Sequence, residues 1–284
     1  MKIPDDTKIQ SVDLKIKDLE ISVNFYSTLL GFKEIERRDY TSLLSANGNH
    51  PYLISLTEAQ NSIPKPRGTT GLFHIAIRFP NRKELARVFL RLFDHKIKFQ
   101  GFSDHLVSEA IYLTDPDENG IELYADKPRS EWVWHMGQIQ MDTLPLNLNV
   151  ITSELDDRNV WNGIHPETDI GHIHLRVSNL QKAEEFYFHL LGLNITSSTY
   201  NGAIFFAADK YHHHVGTNIW QSKNGFPPPE NSVGLISYTI KIPDKDYLIK
   251  LEQSASEQNL LIEPFTGKHL ILLDFDKNKI RLTL

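Results

Sequence analysis

The chain has 284 residues, a formal net charge of -6 and a pI of about 6.1, and 40% of its residues are hydrophobic. This acidic balance argues against a dedicated nucleic-acid binder, and no apolar run reaches the roughly 18 residues that a membrane-spanning helix needs. The absence of cysteine excludes disulfides, thiolate metal sites and a cysteine nucleophile, so any metal must be bound by His, Asp or Glu. The polar N-terminus lacks the apolar stretch of a signal peptide. We therefore expect a soluble, cytoplasmic protein with neither nucleic acid nor a membrane as a partner.

Related segments recur along the chain. Residues 14–32 resemble residues 175–193, with Phe-Tyr and Leu-Leu-Gly at a constant offset, and residues 71–80 resemble residues 234–243. Such self-similarity predicts repeated structural units. The predicted units, numbered here as the first to fourth modules, are residues 9–57, 71–126, 171–222 and 234–284. Residues 127–170 form the connection between the second and third modules.

Each module has the pattern of a βαβββ unit. In the third module an apolar strand precedes a segment whose apolar residues, from Ala183 to Leu191, fall on one helix face. Gly192 follows as the expected C-terminal cap, and Asn81 and Glu84 have capping-box spacing in the second module. Three short strands complete each module. The sequence therefore predicts an α+β fold of four such units, whereas the connection has no clear period and any helix or strand in it cannot be placed.

Three residues stand out when the modules are compared. His74 lies in the opening strand of the second module, Glu122 in its closing strand, and His172 in the opening strand of the third module. The equivalent positions in the sister modules hold Ser237, Arg281 and Ser11. The βαβββ unit therefore does not require His or Glu there. Any one of the three could be an ordinary core or surface residue, but two imidazoles and one carboxylate are the facial triad that binds non-haem Fe(II).

A run of histidines follows Tyr211. His212, His213 and His214 could form an exposed loop, but they precede an apolar strand, in which alternate residues face the same side. We expect His212 and His214 to share the inward face. A histidine beside a metal site is suited to general acid/base chemistry because its pKa lies near neutrality.

A second pattern runs from His105 through Tyr112 to the segment Asp-Pro-Asp-Glu-Asn-Gly-Ile-Glu, which ends at Glu122. By itself the segment predicts a β-turn between two strands. His105 and Tyr112, taken alone, would be core or surface residues.

Together these motifs resemble the vicinal oxygen chelate superfamily, which includes glyoxalase I, bleomycin-resistance proteins and extradiol dioxygenases. The superfamily markers are the repeated helix with Phe-Tyr and Leu-Leu-Gly and the closing Asp-Pro-Asp-x-x-Gly-Ile-Glu segment. The longer extradiol dioxygenase signature is matched by His105, Ile111, Tyr112, Asp115, Pro116 and Glu122. Glu118 and Ser103 depart from it. The chain is most similar to bacterial proteins of the catechol 2,3-dioxygenase type.

The resemblance implies that the four βαβββ modules form two vicinal oxygen chelate domains with mixed, curved sheets. It also implies an extradiol ring-cleavage dioxygenase that acts on a small aromatic diol and O2. It implies Fe(II), with Mn(II) or Zn(II) as alternatives, held by His74, Glu122 and His172. Family enzymes carry a His-His pair whose second member is the acid/base; His213 and His214 match it, which implies His214 as the acid/base. Tyr112 and His105 resemble the groups that hydrogen-bond the catecholate.

Two other functions remain open. A glyoxalase-like metal-dependent isomerase or thiol transferase would need a second carboxylate on the partner module's closing strand, where residues 215–219 contain no acid. A non-catalytic protein that binds an aromatic ligand would not need His214, Tyr112 and His105. Homo-oligomerisation is open as well.

The distribution of the candidate ligands predicts how the modules pair. Pairing of the first with the second module, and of the third with the fourth, would leave two incomplete ligand sets. Pairing of the second with the third brings His74, Glu122 and His172 together. We expect an active domain from the second and third modules and a silent domain from the first and fourth, unless two chains share a site.

Overall fold

The protein is represented by a computed structural model that describes residues 1–155 and 161–284. The first module contains β1 (Lys8–Ile16), α1 (Leu19–Val23), β2 (Lys33–Arg38), β3 (Thr41–Ser45) and β4 (Ile54–Glu58). The second contains β5 (Gly71–Phe79), α2 (Arg82–Asp94), β6 (Gly101–Asp104), β7 (Ser108–Thr114) and β8 (Gly120–Asp126). The connection contains a 3-10 turn (Arg129–Glu131), β9 (Trp134–His135), β10 (Gln138–Ile139), β11 (Leu144–Pro145) and α3 (Leu148–Thr152). The third contains β12 (Asp169–Arg176), α4 (Leu180–Glu184), β13 (Asn194–Ser197), β14 (Ala203–Ala207) and β15 (Val215–Asn218). The fourth contains β16 (Gly234–Lys241), α5 (Lys245–Glu257), β17 (Leu261–Glu263), β18 (His269–Leu273) and β19 (Lys279–Thr283).

Two large sheets organise these strands. The nine-stranded sheet has the order β11-β6-β7-β8-β5-β12-β15-β14-β13, and the eight-stranded sheet has the order β17-β18-β19-β16-β1-β4-β3-β2. In each sheet two opening strands run antiparallel at the centre, β5 with β12 and β1 with β16. Each opening strand also runs parallel to its own module's closing strand, as β5 does with β8. The predicted α+β class with mixed sheets is confirmed.

The helices begin where side-chain caps are available. Asn81 accepts a hydrogen bond from the backbone N–H of Glu84, and Asp18 accepts one from Ile21, which satisfies N–H groups that lack a partner within the helix. The helices of the first and third modules continue as π-helical turns, Asn24–Leu29 and Glu185–Leu190. The apolar spacing alone predicts a regular α-helix here, so these wider turns are a difference from the sequence-based expectation.

Each π-helical turn directs a tyrosine towards the other sheet. Tyr26, in the first module, donates a hydrogen bond to Asp115 in the β7–β8 turn, at 3.1 Å. Tyr187, in the third module, donates to Asp274 in the β18–β19 turn, at 2.9 Å. All four groups are buried, so the two sheets are connected by reciprocal polar contacts within a mainly apolar core.

The connection adds to the nine-stranded sheet at its edge, because β11 pairs with β6. Its short α3 begins at Asn147, whose side chain accepts a hydrogen bond from Asn149. None of the helices in the described ranges has the length and apolarity needed to cross a membrane.

Candidate metal centre and active site

Two β-bulges shape the central β5–β12 pair. His174 lies opposite His74, but Leu175 lies opposite Leu72, so Phe73 is an extra residue on β5. A bulge redirects the side chains around it, and Phe73 and His74 consequently line the same pocket although they are neighbours in sequence.

The second bulge lies in β12. Ile170 pairs with Ile77 and His172 with Ala76, which leaves Gly171 as the extra residue. A Cβ at Gly171 would lie 1.7 Å from the hydroxyl oxygen of Tyr124, so only glycine fits beside that buried ring. This close approach fixes the backbone immediately before His172.

The predicted ligands converge on one point of the nine-stranded sheet. His74 Nε2 lies 2.9 Å from Glu122 Oε2, and His172 Nε2 lies 3.3 Å from the same oxygen. The three ligand atoms lie within 4.8 Å of one another, and all three residues are buried. The equivalent Ser11, Ser237 and Arg281 lie in the eight-stranded sheet.

The chemistry of this cluster fits a divalent metal. His74 Nε2 is buried and, although it lies 2.9 Å from Glu122 Oε2, it makes no hydrogen bond of acceptable geometry among the described residues, an arrangement that favours a shared metal ligand. Burial lowers the pKa of His172 to about 4, although Glu122 acts in the opposite direction. Burial favours the protonated form of Glu122, but His172 and His74 lower its pKa well below the usual value. Near neutral pH the cluster therefore offers a neutral imidazole and a carboxylate, the protonation states that metal binding requires.

His105 and Tyr112 lie together on the pocket wall. His105 Nδ1 is 2.7 Å from the backbone oxygen of Asp142, and because a carbonyl only accepts, Nδ1 carries the proton. The neutral ring then accepts at Nε2 from the Tyr112 hydroxyl, at 2.6 Å. Burial and the Glu122 carboxylate raise the pKa of Tyr112, so it remains a phenol. Its oxygen lone pairs are free to accept from a ligand in the pocket.

The histidine run differs from the expectation for His214. Residues 211–214 form a bend, and β15 begins only at Val215, so strand alternation does not apply to them. His213 lines the pocket, with its ring centroid 4.0 Å from that of His172. His214 faces away and accepts a hydrogen bond at Nδ1 from the Ala208 backbone. The geometry therefore favours His213 over His214 as the acid/base.

A hydrogen-bond chain orients His213. His212 Nε2 lies 3.0 Å from Asp126 Oδ1, and the carboxylate can only accept, so His212 donates from Nε2. In neutral His212 the other nitrogen, Nδ1, is then an acceptor, and it lies 2.8 Å from His213 Nδ1. His213 accordingly donates from Nδ1, which leaves its Nε2 as the basic atom.

The pocket has a volume of about 430 Å³. Its walls include Phe73, Leu113, Tyr200, Phe205 and Trp220, which give it the flat apolar surfaces that suit an aromatic ligand. His174 also lines it and lies on the same strand face as His172. Sequence reasoning missed His174, although its counterpart in the repeat, Asp13, would have marked the position as variable among the modules.

A second group of possible ligands overlaps the first. His172, His212 and His213 also place one nitrogen each within 4.8 Å of one another. It shares His172 with the predicted triad and has no carboxylate. The hydrogen bonds of His212 to Asp126 and to His213 engage both of its ring nitrogens.

Comparison with known proteins gives the family. The profile of the Glyoxalase/Bleomycin resistance protein/Dioxygenase superfamily matches residues 8–123. Catechol-2,3-dioxygenase of Bacillus subtilis (strain 168) is 42% identical over 250 residues, which cover 87% of this chain and 86% of that protein. The chain belongs to this superfamily. The predicted membership is confirmed, and so is the prediction of an extradiol dioxygenase enzyme.

Solved structures agree on the fold. A crystal structure from Bacillus subtilis subsp. subtilis str. 168 covers 100% of this chain and 86% of its own, with a TM-score of 0.67 and 9% identity. Glyoxalase I from Zea mays covers 98% of this chain and 92% of its own, with a TM-score of 0.59 and 16% identity. At 9% and 16% identity, the structural similarity shows a common fold.

Proposed function

We propose that this superfamily member cleaves the ring of a catechol-like aromatic diol next to the diol, using Fe(II) and O2. The observation that carries the proposal is the convergence of His74, Glu122 and His172 beside an aromatic-lined pocket, whose wall includes His74 and Glu122. The name of the Bacillus subtilis relative supports it independently.

His74, Glu122 and His172 would hold the metal through three ligand atoms on one side. Fe(II) would supply open coordination positions for diol and O2 and the electrons that activate O2. The acid-free β15 strand supports an open site, since a second carboxylate ligand there is what a glyoxalase-like centre would need.

Tyr112 would position the diol. Because its hydroxyl proton is donated to His105 Nε2, its oxygen can accept a hydrogen bond from a substrate hydroxyl or from a protonated intermediate. Tyr112 is half-buried, and a ligand seated against it would shield this contact from water and strengthen it.

His213 would move protons at Nε2. Asp126 and His212 hold the opposite nitrogen as the donor, so Nε2 is presented as a base without rearrangement. A second substrate hydroxyl would lose its proton to this atom on binding, and the same proton would be returned when the ring opens.

The nine-stranded sheet, built from the second and third modules, would be the active unit. The eight-stranded sheet, built from the first and fourth, would be silent, since its equivalent positions provide two hydroxyls and a guanidinium. Cytoplasmic location and homo-oligomerisation stay predictions.

Anaerobic reconstitution tests the function. The chelator-treated protein is loaded with Fe(II), Mn(II) or Zn(II), and O2 consumption and a yellow ring-opened product are followed with catechol. We expect one O2 consumed per diol with Fe(II) and no turnover with Zn(II). Full activity after stringent chelation, or with Zn(II) alone, would refute the proposal.

A further inference from the structure

Arg176 lies in the same pocket as the candidate metal centre. It is the last residue of β12 and shares a strand face with His172 and His174. It lies four positions along the strand from His172, or roughly 13 Å between Cα atoms at about 3.3 Å per residue. Arg176 therefore lines the pocket at a distance from the candidate metal ligand on its own strand.

The guanidinium of Arg176 has no anionic partner. It lies 5.2 Å from the centroid of the Phe73 ring, and its buried Nε has no hydrogen-bond partner among the described residues. No described carboxylate lies within 4.0 Å of it, whereas Arg78 and Arg82 of the same module pair are held by Asp169 and Glu109. A partly desolvated cation without an acceptor is costly, so the position is suited to an anion that arrives with a ligand.

The surroundings strengthen this reading. Burial, with repulsion from Arg176, lowers the pKa of Lys65 to about 8, and the Lys65 Nζ donates a hydrogen bond to the Leu72 backbone oxygen at 2.5 Å. Burial also lowers the pKa of Arg176 itself. Glu118 lines the pocket too, but it is exposed and not within ion-pair distance of Arg176.

Between its two ends the pocket is lined by aromatic rings. Phe73 stacks under the guanidinium and is T-shaped against Trp220, at 5.6 Å between centroids. A planar ring bound at His74, Glu122 and His172 by one edge would therefore direct the opposite edge along these rings towards Arg176.

We propose that the substrate is a catechol that carries a carboxylate on a short substituent away from the two hydroxyls, and that Arg176 binds this carboxylate. The inference rests on the proposed function for its diol end. A guanidinium and a carboxylate form paired, charge-assisted hydrogen bonds. The carboxylate would also accept a hydrogen bond from the buried Arg176 Nε, which has no partner among the described residues, and this adds to the preference for an anionic ligand.

Matched ligands separate charge from shape. 3,4-Dihydroxyphenylacetate is anionic, its amide is a neutral isostere, and dopamine is a cation of similar size. Each is tested with the Fe(II)-loaded protein for kcat/KM, and under argon for Kd by calorimetry. We expect the wild type to prefer the acid over the amide at least about 10-fold in both measurements, the scale of one charge-assisted pair.

Variants assign the preference to Arg176. Arg176→Gln should reduce the acid-to-amide ratio about 10- to 100-fold, and Arg176→Lys should retain part of it because the charge remains. Arg38→Gln, at an arginine whose side chain is 80% exposed in the other sheet, is the matched control. Circular dichroism checks that each variant is folded.

The outcomes are distinguishable. An acid-to-amide ratio near one in the wild type, an equal loss for both ligands in Arg176→Gln, or a preference for dopamine would overturn the inference; the last would point to Glu118. If no diol is turned over, the proposed function fails, and the ratio of the Kd values under argon still decides the role of Arg176.

Discussion

Asp13 accepts a hydrogen bond from the Ser237 hydroxyl across the β1–β16 pair, at the positions that His174 and His74 occupy across the β5–β12 pair. Tyr52 donates a second hydrogen bond to Asp13, at 2.9 Å. The polar groups at this point of the eight-stranded sheet therefore satisfy one another. At the same point of the nine-stranded sheet, His74 Nε2 makes no hydrogen bond among the described residues, although Glu122 Oε2 lies 2.9 Å away.

The two sheets predict different responses to the same kind of substitution. His74→Ala, His172→Ala or Glu122→Ala should abolish Fe(II) binding and O2 consumption while the protein remains folded, because the sister modules fold without these residues. Ser237→Ala is the matched control and should retain one iron per chain. Iron content and circular dichroism measure both effects, and a ligand variant that still binds one iron per chain would contradict the assignment.

His213→Ala should lower turnover by about 10²–10⁴-fold, the usual contribution of a general acid/base group, without loss of iron. His214→Ala removes an acceptor that faces the Ala208 backbone, so we expect reduced stability with a much smaller effect on turnover. The two variants are compared by their steady-state kcat per bound iron. A larger loss in His214→Ala would favour His214, the acid/base that the family resemblance implies.

Gly171→Ala should destabilise the protein by about 1–3 kcal/mol, the usual cost of overpacking, because the new Cβ would overlap the Tyr124 hydroxyl. We also expect weaker metal binding, since the backbone before His172 must move. Gly101→Ala is the control for stability, as no heavy atom lies within 4 Å of its added Cβ. Urea unfolding tests the pair, and equal stability of the two variants would show that Gly171 is not constrained.

Asp115 and Asp274 predict a pH dependence of stability. Burial raises the pKa of each to about 6, although Asn119 and Asn278 donate hydrogen bonds that favour the carboxylates. Because the folded pKa exceeds the unfolded one, the contribution to stability is fully present below about pH 4 and is lost as the pH rises through about 6. The loss is up to about 3 kcal/mol for each group at about 1.4 kcal/mol per pKa unit.

Asp115→Asn removes one of these titrations. The free energy of unfolding of the wild type, measured relative to this variant in urea, should fall between pH 4.5 and pH 7.5. A constant difference, or one that grows with pH, would show that the pKa of Asp115 is not raised in the folded protein.

Much of this site can be predicted from sequence because the chain contains four related modules that can be compared with one another. Ser11, Ser237 and Arg281 show that the fold does not need His or Glu at those positions. The presence of His172, His74 and Glu122 there therefore indicates a chemical role and not a structural one. The fold class follows from the same repeat. His174 could have been found in this way as well, from Asp13.

Other features depend on irregular backbone that periodicity does not encode. Strand alternation places Phe73 and His74 on opposite faces, whereas the bulge in β5 brings both to the pocket. The same rule selects His214, but the chain bends before β15 and presents His213. Arg176 has no motif, and its lack of a partner is visible only when its surroundings are known.

Anomalous diffraction at the iron edge, from crystals reconstituted with Fe(II) under argon, tests the account most directly. We predict one peak per chain, bonded to His74 Nε2, His172 Nε2 and a Glu122 oxygen at about 2.0–2.2 Å, as is typical of imidazole and carboxylate ligands. A peak among His172, His212 and His213, a peak in the eight-stranded sheet, or no ordered iron would contradict it.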